Sequence, residues 1–273
     1  MNCRNRSWAI AILFSVILGH SGAACAQGLI WELPEEDGTW IRYEGTSTLT
    51  ELRPDSAAGD ETAEWLQHLT LKSVGQEMAE YDGKMQPCRW IEIESVTGTP
   101  TEEGIDPGPT GRRIVKVLVP ESRVIPAQVD DTQILVSYLP IVKGYRKIGE
   151  KPAVEIKSKV LQVYPLLTLL PHFRRMSQEG TEEDADVALG PAIATRLKGT
   201  RKLENHVSRS TNEATLWRSS DVPFGLARWT VKVSHEAKKP TEDRGAFQQH
   251  SEAEIEMQAV ESGADAQSRV VAP

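Results

Sequence analysis

Along most of the chain, short runs of apolar residues alternate with polar ones and are broken by turn residues, a period-two pattern that predicts strands. After the turn-like Asp37-Gly38, Thr39–Glu44 places Ile41 and Tyr43 on one face, with Trp40 and Arg42 on the other. Trp65–Val74 sets Trp65, Leu69 and Leu71 against His68, Thr70 and Lys72. Met78–Tyr81 then runs through Asp82-Gly83 towards Arg89–Val96. Asp-Gly supplies the positive φ angles of a tight hairpin turn, and Pro87 is expected to delay the second strand. In that strand Ile91 and Ile93 alternate with Glu92 and Glu94, which predicts one buried face and one wet face. Ile114–Val119, Gln133–Tyr138, Arg228–Ser234 and Glu252–Val260 read as further strands, the last with Ile255, Met257 and Ala259 inward. Thr200–Ser210 and Ala214–Arg218 read as strands flanking a turn at Thr211-Asn212-Glu213, and Val222–Gly225 as a bend.

Four segments break the pattern. Residues 98–111 carry four glycines and three prolines and read as a long surface loop. Ile156–Met176 spaces Val160, Leu161, Tyr164, Leu167 and Phe173 near a helical period, with Pro165 and Pro171 interrupting, so a short or kinked helix, or two pieces, is expected over 160–173. Residues 178–186 are acidic and apolar-poor, as in a linker, and 262–273 read as a disordered tail. There is no repeat of fixed period. The expected fold is mainly β (α+β): a single β-rich domain over 27–261, built as a curved antiparallel sheet or half-barrel with one or two short helices.

The first 26 residues have the three parts of a secretory signal peptide. Arg4 and Arg6 precede an uncharged apolar run, Trp8–Leu18, and small residues lead to Ala24-Cys25-Ala26. The apolar run has 11 residues, where a spanning helix needs about 20. The same residues hold an alternative: Ser21–Cys25 resembles a lipoprotein processing site at which a lipidated Cys25 becomes the first residue. Export to the periplasm or the exterior is therefore expected, with no integral membrane segment after cleavage. Cleavage after Ala26 removes Cys3 and Cys25 and leaves Cys88, so no internal disulfide is expected and the core must hold the fold.

Charge argues against a nucleic-acid partner. The chain has 31 basic and 39 acidic residues, and losing Arg4 and Arg6 takes the mature form near −10. Phosphate-backbone binding needs clustered Lys and Arg, whereas Arg112-Arg113 and Arg174-Arg175 are only pairs. Six tryptophans survive cleavage: Trp31, Trp40, Trp65, Trp90, Trp217 and Trp229. Each can bury roughly 150–250 Å², which makes them core residues first and platforms for sugars or lipids second.

No motif fixes a reaction, and no cofactor, metal or catalytic residue is assigned. His68, His172, His206, His235 and His250 lack H-x-x-x-H spacing, and His235-Glu236 has no second histidine to make a zinc helix. Glu182-Glu183-Asp184 with Asp186 could attract Ca²⁺ but lacks the central glycine and closing glutamate of a calcium loop. There is no G-x-S-x-G elbow and no phosphate-binding glycine loop. Arg89 would activate Cys88 only if both pointed the same way, and adjacent strand residues do not. Glu92 and Glu94, about 7 Å apart by strand rise, have a spacing that glycosidase carboxylates use; an exposed sheet face explains them more simply.

The stretch Leu216–Leu226 (LWRSSDVPFGL), followed by Arg228-Trp229, resembles a stretch in uncharacterised exported bacterial proteins that are distantly similar to periplasmic lipoprotein carriers. Trp31–Glu35 with Asp37–Trp40 resembles the mature start of secreted proteins. The carrier resemblance covers about 40 residues. It implies an open half-barrel whose helices cover an apolar cavity for acyl chains; it assigns no residue a role. The resulting expectation is an exported, non-enzymatic protein that binds an apolar or amphipathic ligand such as a lipid or lipoprotein segment, with 160–173 as lid. A cell-envelope structural or protein-interaction module and a hydrolase without a recognisable motif are the alternatives.

Overall fold

The computed structural model describes residues 28–102, 104–123, 139–161, 168–170, 173 and 176–271. The expected leader, the strand expected at 133–138, His172 and much of the expected helix lie outside them.

Two meanders make one sheet. The first comprises β1 (Trp40–Glu51), β2 (Glu61–Tyr81), β3 (Lys84–Thr101), β4 (Gly104–Asp106) and β5 (Arg112–Pro120). It continues, after β6 (Leu139–Pro140), with β7 (Lys143–Ile148) and β8 (Val154–Glu155). Short strands β9 (Val160–Leu161), β10 (Ser177–Gln178) and β11 (Glu183–Asp184) lead to the second meander, formed by β12 (Ile193–Glu204), β13 (Ser208–Arg218), β14 (Leu226–Ala237) and β15 (Gln248–Gly263). The first and last long strands pair with each other over the full length of β1, so the order is β10-β12-β13-β14-β15-β1-β2-β3-β5-β7-β8, antiparallel throughout. β4 and β11 attach to β3 and β12, and β6 pairs β9 in a separate two-stranded sheet. The large sheet does not close: β8 and β10 end it on opposite sides.

Alternation sets the two faces. Ile41 and Tyr43, Leu69 and Leu71, Ile91 and Ile93, Trp229 and Val231, and Ile255 and Met257 are buried on one face, here the core face. The chain covers that face with its own segments: Leu29, Ile30 and Trp31, Leu139 and Ile141, Leu161, Leu170, Phe173 and Met176, and Val222 with Phe224 join the same cluster. Tyr43 and Trp229 meet edge to face at 5.0 Å, the Tyr43 hydroxyl donates to the Leu226 carbonyl at 2.8 Å, and the Trp229 indole donates to the Thr168 carbonyl at 3.3 Å. Gly199 leaves room for Phe173, since a Cβ there would lie 2.6 Å from its ring. The Asp82-Gly83 hairpin turn forms as expected, with φ of 51° and 72° in a two-residue loop between Tyr81 and Lys84.

Several expectations are corrected. One or two short helices are absent among the described residues, where helical geometry is confined to Thr168 and to 3₁₀ turns at 121–123, 223–225 and 244–246. Of the apolar residues that suggested a helix, Leu161 and Phe173 are buried in the core cluster, and Val160 and Leu161 form a strand. Pro87 does not delay β3, which starts at Lys84. Partnering with β5 begins only at Cys88, so Pro87 has a neighbour on one side alone. The 98–111 loop is partly strand: β3 runs to Thr101 and β4 folds back on it. Within the acidic 178–186 stretch, β11 pairs with β12. The turn expected at 211–213 falls at Asn205–Val207, where the Asn205 carboxamide oxygen accepts from the amides of Val207 and Ser208. Such an Asx turn reverses the chain without glycine. Residues 264–271, read as part of a disordered tail, run back across the outer face of β1–β2–β3–β5.

Candidate functional site

The core face opens at one end of β1, β2, β3 and β15, where a groove of ≈ 730 Å³ remains. Leu49, Trp65, Leu169 and Ala253, all half-buried, give it apolar walls. Its floor is polar: Ser47 donates to Gln67 at 3.1 Å, and Gln67 and Ser95 are 4% and 2% exposed. The β3–β4 hairpin forms the rim. It can approach because a Cβ at Gly98 would collide with the Asp106 carbonyl. Arg113 stands exposed on the same rim. The lining is mixed, since Thr48, Thr97, Thr99, Asp106, Thr110 and Glu254 also face the groove, and its volume lies in the range of small-molecule sites.

A second arrangement lies on the outer face and corrects the reading of Glu92 and Glu94 as solvent-exposed. They are 0% and 6% exposed. Lys72, from the neighbouring β2, reaches both, at 3.0 and 3.3 Å. Residues 264–271 cover them. The Arg269 amide donates to both Glu92 oxygens (3.2 and 3.0 Å), the Ser268 hydroxyl donates to Glu92 at 2.8 Å, and the Arg269 guanidinium meets Glu94 at 2.7 Å. Arg112 also approaches Glu94, at 3.5 Å. Buried charge is tolerable only when paired and hydrogen-bonded in this way. Both carboxylates are committed to fixed cations and donors, so neither has the free approach that acid–base work on a substrate needs.

The remaining sequence candidates have structural surroundings. Cys88 is buried, its thiol pushed up mainly by burial, and its Sγ lies 3.5 Å from the Gln86 carbonyl. Arg89 turns away to Glu121, Ser73 and the Pro34 carbonyl, so it does not activate the thiol. In the acidic run, Glu183 accepts from the Trp217 indole at 2.9 Å and Asp184 caps the Asp186 amide at 3.0 Å. His68 faces Glu44 at 3.4 Å, and His206 is exposed at the Asn205 turn. Among the described residues no group of three His, Cys, Asp or Glu is placed to hold a metal ion, and no helix is long and apolar enough to cross a membrane.

His235 and His250 stack with ring centroids 6.3 Å apart. Burial, then the neighbouring His250, holds the His235 imidazole below its usual range. A depressed folded-state pKa adds stability above the unfolded value of ~6.5, and that share is lost as pH falls through the folded value. The drop in melting temperature between about pH 7.5 and about pH 5.5 is therefore expected to be smaller in His235→Asn than in the parent. An equal drop in both proteins would contradict this.

No family model and no curated protein matches this chain. Sequence reasoning placed Trp65 on the face of Leu69 and Leu71, and missed the groove because its other walls come from Leu49, Leu169 and Ala253. It missed the outer-face cluster because Ser268 lies 176 residues from Glu92.

Proposed function

We propose that this is an exported, non-enzymatic protein that binds an apolar or amphipathic ligand, a lipid or lipoprotein segment, in the groove beside Trp65. The observation that carries the reading is the groove itself: apolar walls from three distant parts of the chain, a polar floor, and an exposed Arg113 on the rim to meet an anionic head. The open sheet then acts as a half-barrel, as in the lipoprotein carriers that the Leu216–Leu226 stretch resembles. Its own segments fill most of the core face and leave one end for the ligand. Removal of a leader at Ala26 would leave the core intact, since Leu29, Ile30 and Trp31, which belong to it, lie beyond that site. The protein then works in the periplasm or outside the cell, and its mature form begins at Gln27.

Titration of the mature protein with a fluorescent fatty acid tests this reading. Saturable binding is expected, weakened on the order of tenfold by Trp65→Ala, as for an aromatic anchor. No saturable signal would remove the reading. A second reading, a cell-envelope interaction module, is favoured by Trp40 and Trp90, which stand half-buried on the outer face. A pull-down from envelope extract, with Trp40→Ala and Trp90→Ala as controls, would recover a partner lost in those variants.

A further inference from the structure

We infer that the outer-face site around Glu92, Glu94 and Lys116 is also a dock between molecules, and that its occupant is the 264–271 segment of a second copy of this chain. The site is built for this segment. Three consecutive residues carry the attachment: Ser268 and Arg269 bond the two buried carboxylates, and Lys116 donates to the Val270 carbonyl at 3.4 Å. The Val270 side chain is buried with Ile114 and Tyr145, and Trp90 packs against them. Charge also fits. Lys72 bridges the two carboxylates and Arg112 approaches Glu94 at 3.5 Å, and Arg269 adds a closer cation to Glu94 at 2.7 Å.

Between Gly263, where β15 ends, and Ser268 lie four residues with few ties to the body: the Ala266 amide donates to the Gly38 carbonyl at 2.9 Å, and Asp265 accepts from the Trp40 indole at 2.9 Å. No residue of 264–271 belongs to a strand, so lifting the segment breaks no sheet ladder. Every contact it loses is offered again, unchanged, by another copy, which is the condition for exchange of an identical element between protomers. A short tether gives the chain's own segment an effective concentration of about 1 mM. The closed single copy therefore dominates when dilute, and exchange appears when the protein is concentrated or the tether is too short to close.

The test uses two full-length proteins, one carrying Val270→Cys and the other Ile114→Cys, both with Cys88→Ser. They are mixed at about 1 mM and oxidised. A disulfide-linked heterodimer is expected, diminished by adding Arg269→Ala to the first partner. A parallel variant deleting Ala266 and Gln267 shortens the tether by roughly 7 Å and is expected to sediment as a dimer at micromolar concentration. Absence of the mixed disulfide overturns the proposal, whatever the shortened variant does. A heterodimer insensitive to Arg269→Ala overturns it as well, because the cross-link would then not report the dock.

Discussion

Lys72→Met is expected to lower the stability of this protein by about 3–5 kcal/mol, read as a fall in the urea midpoint with little change in slope. The side chain bridges Glu92 and Glu94 from the adjacent strand, in a place where Glu92 has no exposure to water. Methionine fills a similar volume, so the loss is electrostatic: two buried carboxylates would keep only the Arg269 and Arg112 contacts and the donors of residues 268 and 269. Adding Glu92→Gln removes one of the stranded charges and should recover part of the loss, a non-additive result that only contacting residues give. Lys198→Met supplies the contrast. Lys198 meets Glu179 at 3.0 Å, but its side chain is half exposed, and such a pair contributes less than ~1 kcal/mol. Equal effects at Lys72 and Lys198 would mean that the outer-face cluster is not buried as described.

Trp229→Ala is expected to cost about 3–5 kcal/mol, the range for deleting a fully buried aromatic ring. Trp229 binds the two layers together. Its ring meets Tyr43 of β1, while its indole nitrogen reaches the Thr168 carbonyl in the segment that covers the core face. Phenylalanine keeps most of the burial and loses the hydrogen bond, so Trp229→Phe should fall well short of the alanine loss. Trp217, half-buried with Arg228 over its ring at 5.0 Å, should tolerate alanine better than Trp229 does. Thermal unfolding of the three variants checks the ranking, and a Trp229→Ala protein that melts with the parent would contradict the packing.

The parts of this fold legible in the sequence are those governed by near neighbours. Alternation alone gives Ile41 with Tyr43, Leu69 with Leu71, and Ile255 with Met257 and Ala259 as core-facing sets, and Asp82-Gly83 dictates its own hairpin. What a pattern of period two cannot supply is what lies over each face. Glu92 and Glu94 alternate with isoleucines as wet residues do, yet a segment from the far end of the chain covers them. The same limit hides the groove, whose walls come from β1, β2, β15 and Leu169. Composition misled at 98–111 and 178–186, where glycine, proline and acidic residues suggest irregular chain but a neighbouring strand supplies the hydrogen-bond partners. Around 160–176, the described residues Leu161, Leu170, Phe173 and Met176 are buried in the core cluster, and helical geometry is confined to Thr168 among the described positions.

Ligand placement can be read directly. A fatty acid bearing a diazirine near its methyl end, mixed with a protein of residues 27–273 and irradiated, would leave a covalent mark wherever it binds, which peptide mass spectrometry locates. If the groove is the site, adducts concentrate on Leu49, Trp65, Leu169 and Ala253 and disappear when unlabelled fatty acid is added in excess. Marks scattered over the surface, or marks that the competitor leaves unchanged, would contradict the assignment.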